Sequence, residues 1–335
     1  MRKFILKTIL FSLPLLTPVV LFVIIDPFMI FGENRGKMKL TDTYSISHNR
    51  DFQTTELFLK NYESQGYDGF ILGNSRSFFF DIDDWNKHTK GHGFHFNSSA
   101  ESLYGIERKL DFLNTSRIPV KNILIVLDHT ILAKTTNSKG HLYIKHPILS
   151  DESYFAFYKE MFGGFFPKPF LAHTSLFLTG ERKPYMEQYG IRENIWELEL
   201  KTNQLSHAHA DSIIANNDEE YYQYQKAMFY ERDSVQAFAP KRIDSSQREL
   251  LSNINTIIAQ NNINVKVIIS PLYDQLKLNE ADLKYLEDVF GKSNVFDFSG
   301  QNKFTNDYKN YYEISHYRPV VAKEMMDIIY GEHTP

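Results

Sequence analysis

The chain has 335 residues, of which 42% are apolar and 23% charged, with a formal net charge of −4. This balance is that of a globular protein with ample core, and with no long basic stripe it argues against a disordered chain or a nucleic-acid binder. Cysteine is absent, which excludes disulfides, thiolate catalysis and thiolate metal sites.

The N-terminus carries a location signal. Arg2, Lys3 and Lys7 precede Thr8–Ile25, a stretch without a charged residue and long enough to cross a bilayer as a helix. The basic leader favours a cytoplasmic N-terminus and an extracytoplasmic body, although Arg35, Lys37 and Lys39 follow on the other side. A cleaved signal peptide is the rival, but Phe22–Phe28 offers no small-residue cleavage site. Residues 1–26 are therefore expected to be a retained single-pass anchor in the cytoplasmic membrane. Residues 27–65 read as a linker and amphipathic lead-in, with a helix around Thr54–Lys60.

The apolar run Gly69–Gly73 predicts a strand, and Asn74-Ser75-Arg76 a tight turn beyond its end. Gly73 permits backbone angles closed to other residues, so the turn presents the Ser75 hydroxyl outward. Asp81-Ile82-Asp83-Asp84 resembles an acidic metal cluster but reads as a solvated turn. Gly93–Asn97 predicts a second strand, and Ser98 with Glu101 a capping box ahead of a helix through Leu103, Ile106, Leu110 and Leu113. Lys121–Asp128 predicts a strand buried on both faces, as in a parallel sheet.

Residues 131–243 change character. They are aromatic and polar, with mainly helical patterning, and read as one insertion. Within it Met161–Phe170 is unusually apolar, suited to a lid, a membrane-facing loop, a partner surface or plain core. His207-Ala-His209-Ala-Asp211 has the spacing of a metallo-hydrolase ligand run. It follows the polar Lys201–Ser206 rather than an apolar strand, and no histidine comes directly after Asp211, so no metal is assigned.

Beyond 244, Ser246 and Glu249 are expected to cap a helix. A strand at Val265–Ser270, a helix at Glu280–Phe290 and a strand at Asn294–Phe298 follow, and Pro319 opens a last helix. Strands alternating with helices predict an α/β fold, a doubly wound and mainly parallel sheet with a largely helical insertion. Ser75, Asn97 and Asp128 all fall at carboxyl strand ends, where such sheets bind ligands. Glu313-Ile-Ser-His316 lies just before the last helix, where a carboxylate can hold one imidazole nitrogen while the other takes a proton from a serine. No phosphate-cradling glycine loop and no cofactor fingerprint is present.

An early strand ending in Gly73-Asn74-Ser75-Arg76, with acid-x-x-His before the C-terminal helix, resembles the SGNH/GDSL hydrolase superfamily. It is closest in style to the membrane-anchored branch that includes polysaccharide O-acetylation proteins and the D-alanine transfer protein of teichoic acid synthesis. The resemblance covers residues 66–130 and 244–331 and implies an SGNH/flavodoxin-like fold. It implies Ser75 as nucleophile, His316 as base and Glu313, where the family usually has Asp, as orienting acid. The family's oxyanion glycine block reads Asn97-Ser98-Ser99 here and its asparagine block Leu127-Asp128-His129, so a negative Asp128 at an oxyanion would oppose catalysis. Asn97, Asn74 and Arg76 are the substitute oxyanion or substrate-binding candidates, together with the Ser75 amide. The resemblance implies an acyltransferase or esterase acting on acyl, chiefly acetyl, groups of a cell-envelope glycan, without a cofactor. Its alternative is an impaired accessory protein that binds a multi-pass membrane acyltransferase or a glycan.

Overall fold

The computed structural model describes residues 1–331, with the side chains at 2, 3, 5, 6 and 8–15 outside the described set. The chain divides into two compact units, one of residues 1–56 and 138–194, the other of 57–137 and 195–331 among those described. The stretch 131–243, expected as one insertion, is thus split between them, and 195–243 packs with the sheet. The division falls inside the helix Arg50–Gln65, which is longer than the lead-in helix expected.

The sheet unit has five parallel strands: β1 Gly69–Gly73, β2 Gly93–His95, β3 Asn122–Leu127, β4 Asn264–Ile269 and β5 Val295–Asp297, in the order 2-1-3-4-5. Every residue of β1 and β3 is buried, as their unbroken apolar runs require of strands covered on both faces. On one face Phe70 meets Phe58 (5.8 Å), which in turn meets Phe112 (6.3 Å). On the other, Ile71, Leu124 and Ile268 join a cluster with Trp85 and with Val321 and Met325 of the C-terminal helix Pro319–Tyr330. The strand order reverses direction between β1 and β3, which opens a crevice beyond their carboxyl ends.

Two helix starts differ from expectation. Ser102, not Ser98, caps Leu103–Thr115 by accepting from the Gly105 N–H (2.9 Å). Ser98 instead donates to Glu101 (2.8 Å), which pairs with a fully buried Lys109 (2.6 Å). Asp244, not Ser246, caps Ser245–Gln260, with Gln247 closing the capping box. In both cases a short polar side chain one step from the helix wins, because the N-cap geometry selects position before residue type.

The other unit holds the helices Arg2–Ile25, Tyr154–Phe165 and Phe170–Thr179. Its core gathers Phe22, Phe28, Phe52, Phe157, Met161 and Phe165, so Met161 and Phe165 of the apolar Met161–Phe170 stretch are interior packing, whereas residues 166–168 are exposed. A buried ion pair, Asp51 with Lys145 (3.0 Å), runs through it, and the partly buried Glu56 pairs with Arg35 (2.6 Å) and hydrogen-bonds His146 Nε2 (2.8 Å). Among the described residues no helix is long and apolar enough to cross a membrane. Twelve of the 26 side chains of the expected anchor lie outside the described set, and the expectation gains no support here.

Candidate active site

Ser75 sits where β1 ends. Gly73 has φ +150°, and a Cβ there would lie 2.7 Å from the Val126 carbonyl oxygen, so a side chain is excluded by both backbone and space. The chain then enters a single 3-10 stretch, Ser75–Phe79, capped by Asn74, whose side chain accepts from the Arg76 N–H (3.1 Å). Ser75 opens that stretch, so its own N–H has no intrahelical acceptor and is a donor at the hydroxyl's own residue.

The base arrives on a different element. Tyr311–Glu313 (β6) and His316–Tyr317 (β7) form a short antiparallel hairpin immediately before the C-terminal helix. His316 Nε2 lies 2.7 Å from Ser75 Oγ. Its Nδ1 bonds Glu313 Oε1, and Glu313 Oε2 accepts from the Ser315 N–H (2.7 Å). The carboxylate can only accept, so Nδ1 carries the proton and Nε2 presents its lone pair to the serine. Burial alone would raise the Glu313 carboxyl, but the hydrogen bond and charge of His316 and the Ser315 amide outweigh it and hold it below the usual carboxylate range. The side chains of His316 and Glu313 are about one quarter exposed, at 26% and 28%. Serine, imidazole and carboxylate therefore stand in hydrogen-bonded series at the mouth of the sheet crevice.

The hairpin is held by the stretch 196–225, for which sequence reasoning had no role. His207 caps the helix Ala208–Gln225 by accepting from the Ala210 N–H (3.2 Å), and its ring stacks on Tyr312 (5.0 Å). Asp211 accepts from the Tyr312 hydroxyl (2.5 Å). Farther along the helix, the Tyr221 hydroxyl donates to the Tyr312 carbonyl (3.1 Å) and the Tyr222 hydroxyl to those of Lys309 (2.6 Å) and Tyr311 (2.9 Å). The one visible signal was the pairing of Tyr221-Tyr222 with Tyr311-Tyr312, adjacent tyrosines in otherwise polar surroundings. His207 and Asp211 are thus a cap and an acceptor, and among the described residues no three acidic or histidine side chains gather as metal ligands would. Asp81, likewise, caps the helix Ile82–Thr89 by accepting from the Asp84 N–H (2.8 Å).

The remaining candidates are engaged elsewhere. Asp128, 2% exposed, follows β3. Its Oδ2 accepts from Asn74 Nδ2 (2.6 Å) and Arg76 Nη1 (2.8 Å), and its Oδ1 accepts from the Thr130 and Ile131 N–H groups (2.7 and 3.0 Å). Burial would raise this carboxyl, but Arg76 and these donors hold it below its ordinary value. The feared unpaired negative charge at the oxyanion is therefore replaced by a neutralised pair, Arg76–Asp128, beneath the serine turn. Asn97 is fully buried. The His95 Nε2–H donates to the Phe80 carbonyl (2.9 Å), so His95 Nδ1 is an acceptor and takes a hydrogen bond from Asn97 Nδ2 (2.9 Å). Ser75, His316 and Glu313 are brought together, whereas Asn74 and Arg76 are tied to Asp128 and Asn97 to His95.

No protein-family model and no curated protein matches the chain. The site therefore speaks through its geometry alone. A hydroxyl polarised by an oriented imidazole is equipped for nucleophilic attack on a carbonyl.

Proposed function

We propose that the chain is an SGNH-type serine acyltransferase or esterase with a doubly wound fold, anchored in the cytoplasmic membrane by its N-terminal helix and acting outside it on acyl, chiefly acetyl, groups of a cell-envelope glycan. The observation that carries this reading is the 2.7 Å approach of His316 Nε2 to Ser75 Oγ with Glu313 on the opposite ring nitrogen. Ser75 Oγ attacks the ester carbonyl and His316 Nε2 takes its proton. Glu313 keeps Nδ1 protonated and stabilises the imidazolium as it forms. The Ser75 N–H meets the oxyanion. His316 then returns the proton to the leaving alcohol, and the acyl-serine is resolved when His316 deprotonates a sugar hydroxyl or water.

A second reading is favoured by one observation. Asn74 and Asn97 each direct a side-chain N–H to Asp128 and His95, and losing one oxyanion donor costs about 10²–10³ in rate. In that reading the fold is an accessory protein that binds a glycan or a membrane acyltransferase.

Acylation of the native envelope glycan in a strain carrying Ser75→Ala decides between them. The catalytic reading expects acylation to be lost while the variant accumulates normally in the membrane fraction. Unchanged acylation with normal accumulation overturns it.

A further inference from the structure

The end of the helix Ala208–Gln225 and the turn after it face Tyr273 and Tyr308 across a cavity of about 510 Å³, well within the range of small-molecule sites. Four rings line it. Tyr222 meets Tyr308 edge to face (5.3 Å, 87°), and Phe229 lies 5.5 Å from Tyr308 and 5.2 Å from Tyr273. Tyr308 is 41% exposed although it belongs to this aromatic group, so part of its ring is open to a ligand.

The polar lining is mixed in charge. Glu219, Gln223, Lys226 and Glu231 join Lys309 around the cavity, and Lys309 is already neutralised by Asp218 (2.7 Å). Such a rim offers hydrogen-bond donors and acceptors, and with Lys309 paired the two glutamates outnumber Lys226, a slight negative excess that disfavours phosphate or another strong anion. Aromatic faces are electron-rich, and the C–H groups on a pyranose face are made positive by the oxygens of the ring. A wall of rings with amide, amine and carboxylate groups beside it suits a neutral polyhydroxylated ring.

The cavity is coupled to the triad through the backbone. Tyr222, one of its walls, donates its hydroxyl to the carbonyls of Lys309 and Tyr311. Tyr308 and Lys309 are wall residues, and the chain runs from them directly into β6, which carries Glu313.

We propose that this cavity is a glycan subsite that seats a neutral sugar unit of the polymer whose hydroxyl or ester Ser75 serves. The proposal rests on the glycan reading of the triad and adds where the polymer is gripped.

The test is saturation-transfer NMR on the detergent-solubilised full chain, with neutral tetrasaccharides of β-linked glucose and β-linked N-acetylglucosamine as probes and a tetragalacturonate as the anionic control. The expected result is saturable binding of at least one neutral probe, with an affinity unchanged by added salt because the probe carries no charge. Tyr308→Ala and Phe229→Ala should each weaken it by about tenfold, while Tyr308→Phe retains it; Phe229 packs on the core, so each variant is titrated below its own unfolding transition. No binding of either neutral probe, binding untouched by both alanine variants, or preference for the anionic control overturns the proposal. The same titration on Ser75→Ala separates it from the catalytic reading. Binding there at wild-type strength supports the subsite, even if Ser75→Ala leaves glycan acylation intact and the catalytic reading alone falls.

Discussion

The two halves of the triad are built on opposite principles. The Ser75 turn is fixed by its own neighbours: a glycine with no room for a side chain, an Asn cap and a strand buried along its whole length. The Glu313–His316 hairpin is two short strands with little backbone pairing of its own. It is held from outside by tyrosine hydroxyls, a stacked histidine and Asp211, all from the helix Ala208–Gln225 and its cap. A nucleophile can be placed by local backbone chemistry. A base that must take up and return a proton is instead suspended by side-chain contacts, so its position is adjustable by changes far from it in sequence.

The largest effect expected is at the meeting of the two halves. Under the proposed chemistry, His316→Ala should reduce acyl transfer by about 10⁴-fold or more, and Glu313→Gln by about 10²–10⁴-fold, since the acid only orients. Equal rates in the two variants and wild type, measured on the native glycan, would mean that the two halves do not work as a unit. Next comes the support beneath the turn. Arg76→Met leaves Asp128, almost wholly buried, without its counter-charge and should cost about 3 kcal/mol or more in denaturant unfolding. The double variant Arg76→Met, Asp128→Asn should recover part of that loss, because it removes the stranded charge and keeps an oxygen to accept from the Thr130 and Ile131 N–H groups.

The suspension of the hairpin is cheaper to disturb. Tyr312→Phe removes one hydroxyl bond to Asp211 and should cost about 1 kcal/mol of stability, with acyl transfer falling by less than about tenfold while Ser75→Ala background is unchanged. A loss as large as that of His316→Ala would show that the hairpin has no other support. The smallest effect is on pH. The Glu313 carboxyl is held below its ordinary value, so folding favours its ionised form. Its contribution is complete above the unfolded value of about 4.3 and is lost as pH falls through the lower folded one. Unfolding temperatures of wild type and Glu313→Gln should therefore converge as pH drops below about 4 and separate above it, and parallel curves would refute this.

The same contrast explains what could be read from sequence. The sheet and the serine turn were legible because apolar runs, a glycine and an Asn act within a few residues. The acid-x-x-His pair was legible as a local spacing. The partners of Tyr312 and Asp128 were not, since Asp211 lies 101 residues and Arg76 52 residues away along the chain. Periodicity carries no record of such pairings. Nor could composition tell that 195–243 belongs with the sheet while 138–194 packs with the N-terminal segment.

The Glu101–Lys109 pair behind β2 has a consequence for handling the protein. Both side chains are wholly shielded from solvent, whereas pairs such as Lys87–Asp84 and Lys284–Asp288 have their lysines 73% exposed. Mobile ions at molar strength quench attraction beyond about 3 Å in water, but they do not reach a pair from which water is excluded. Concentrated salt will therefore dissolve the ionic decoration of the helices and leave the Ser98–Lys109 segment locked, so ionic strength becomes a reagent that separates peripheral from architectural charge.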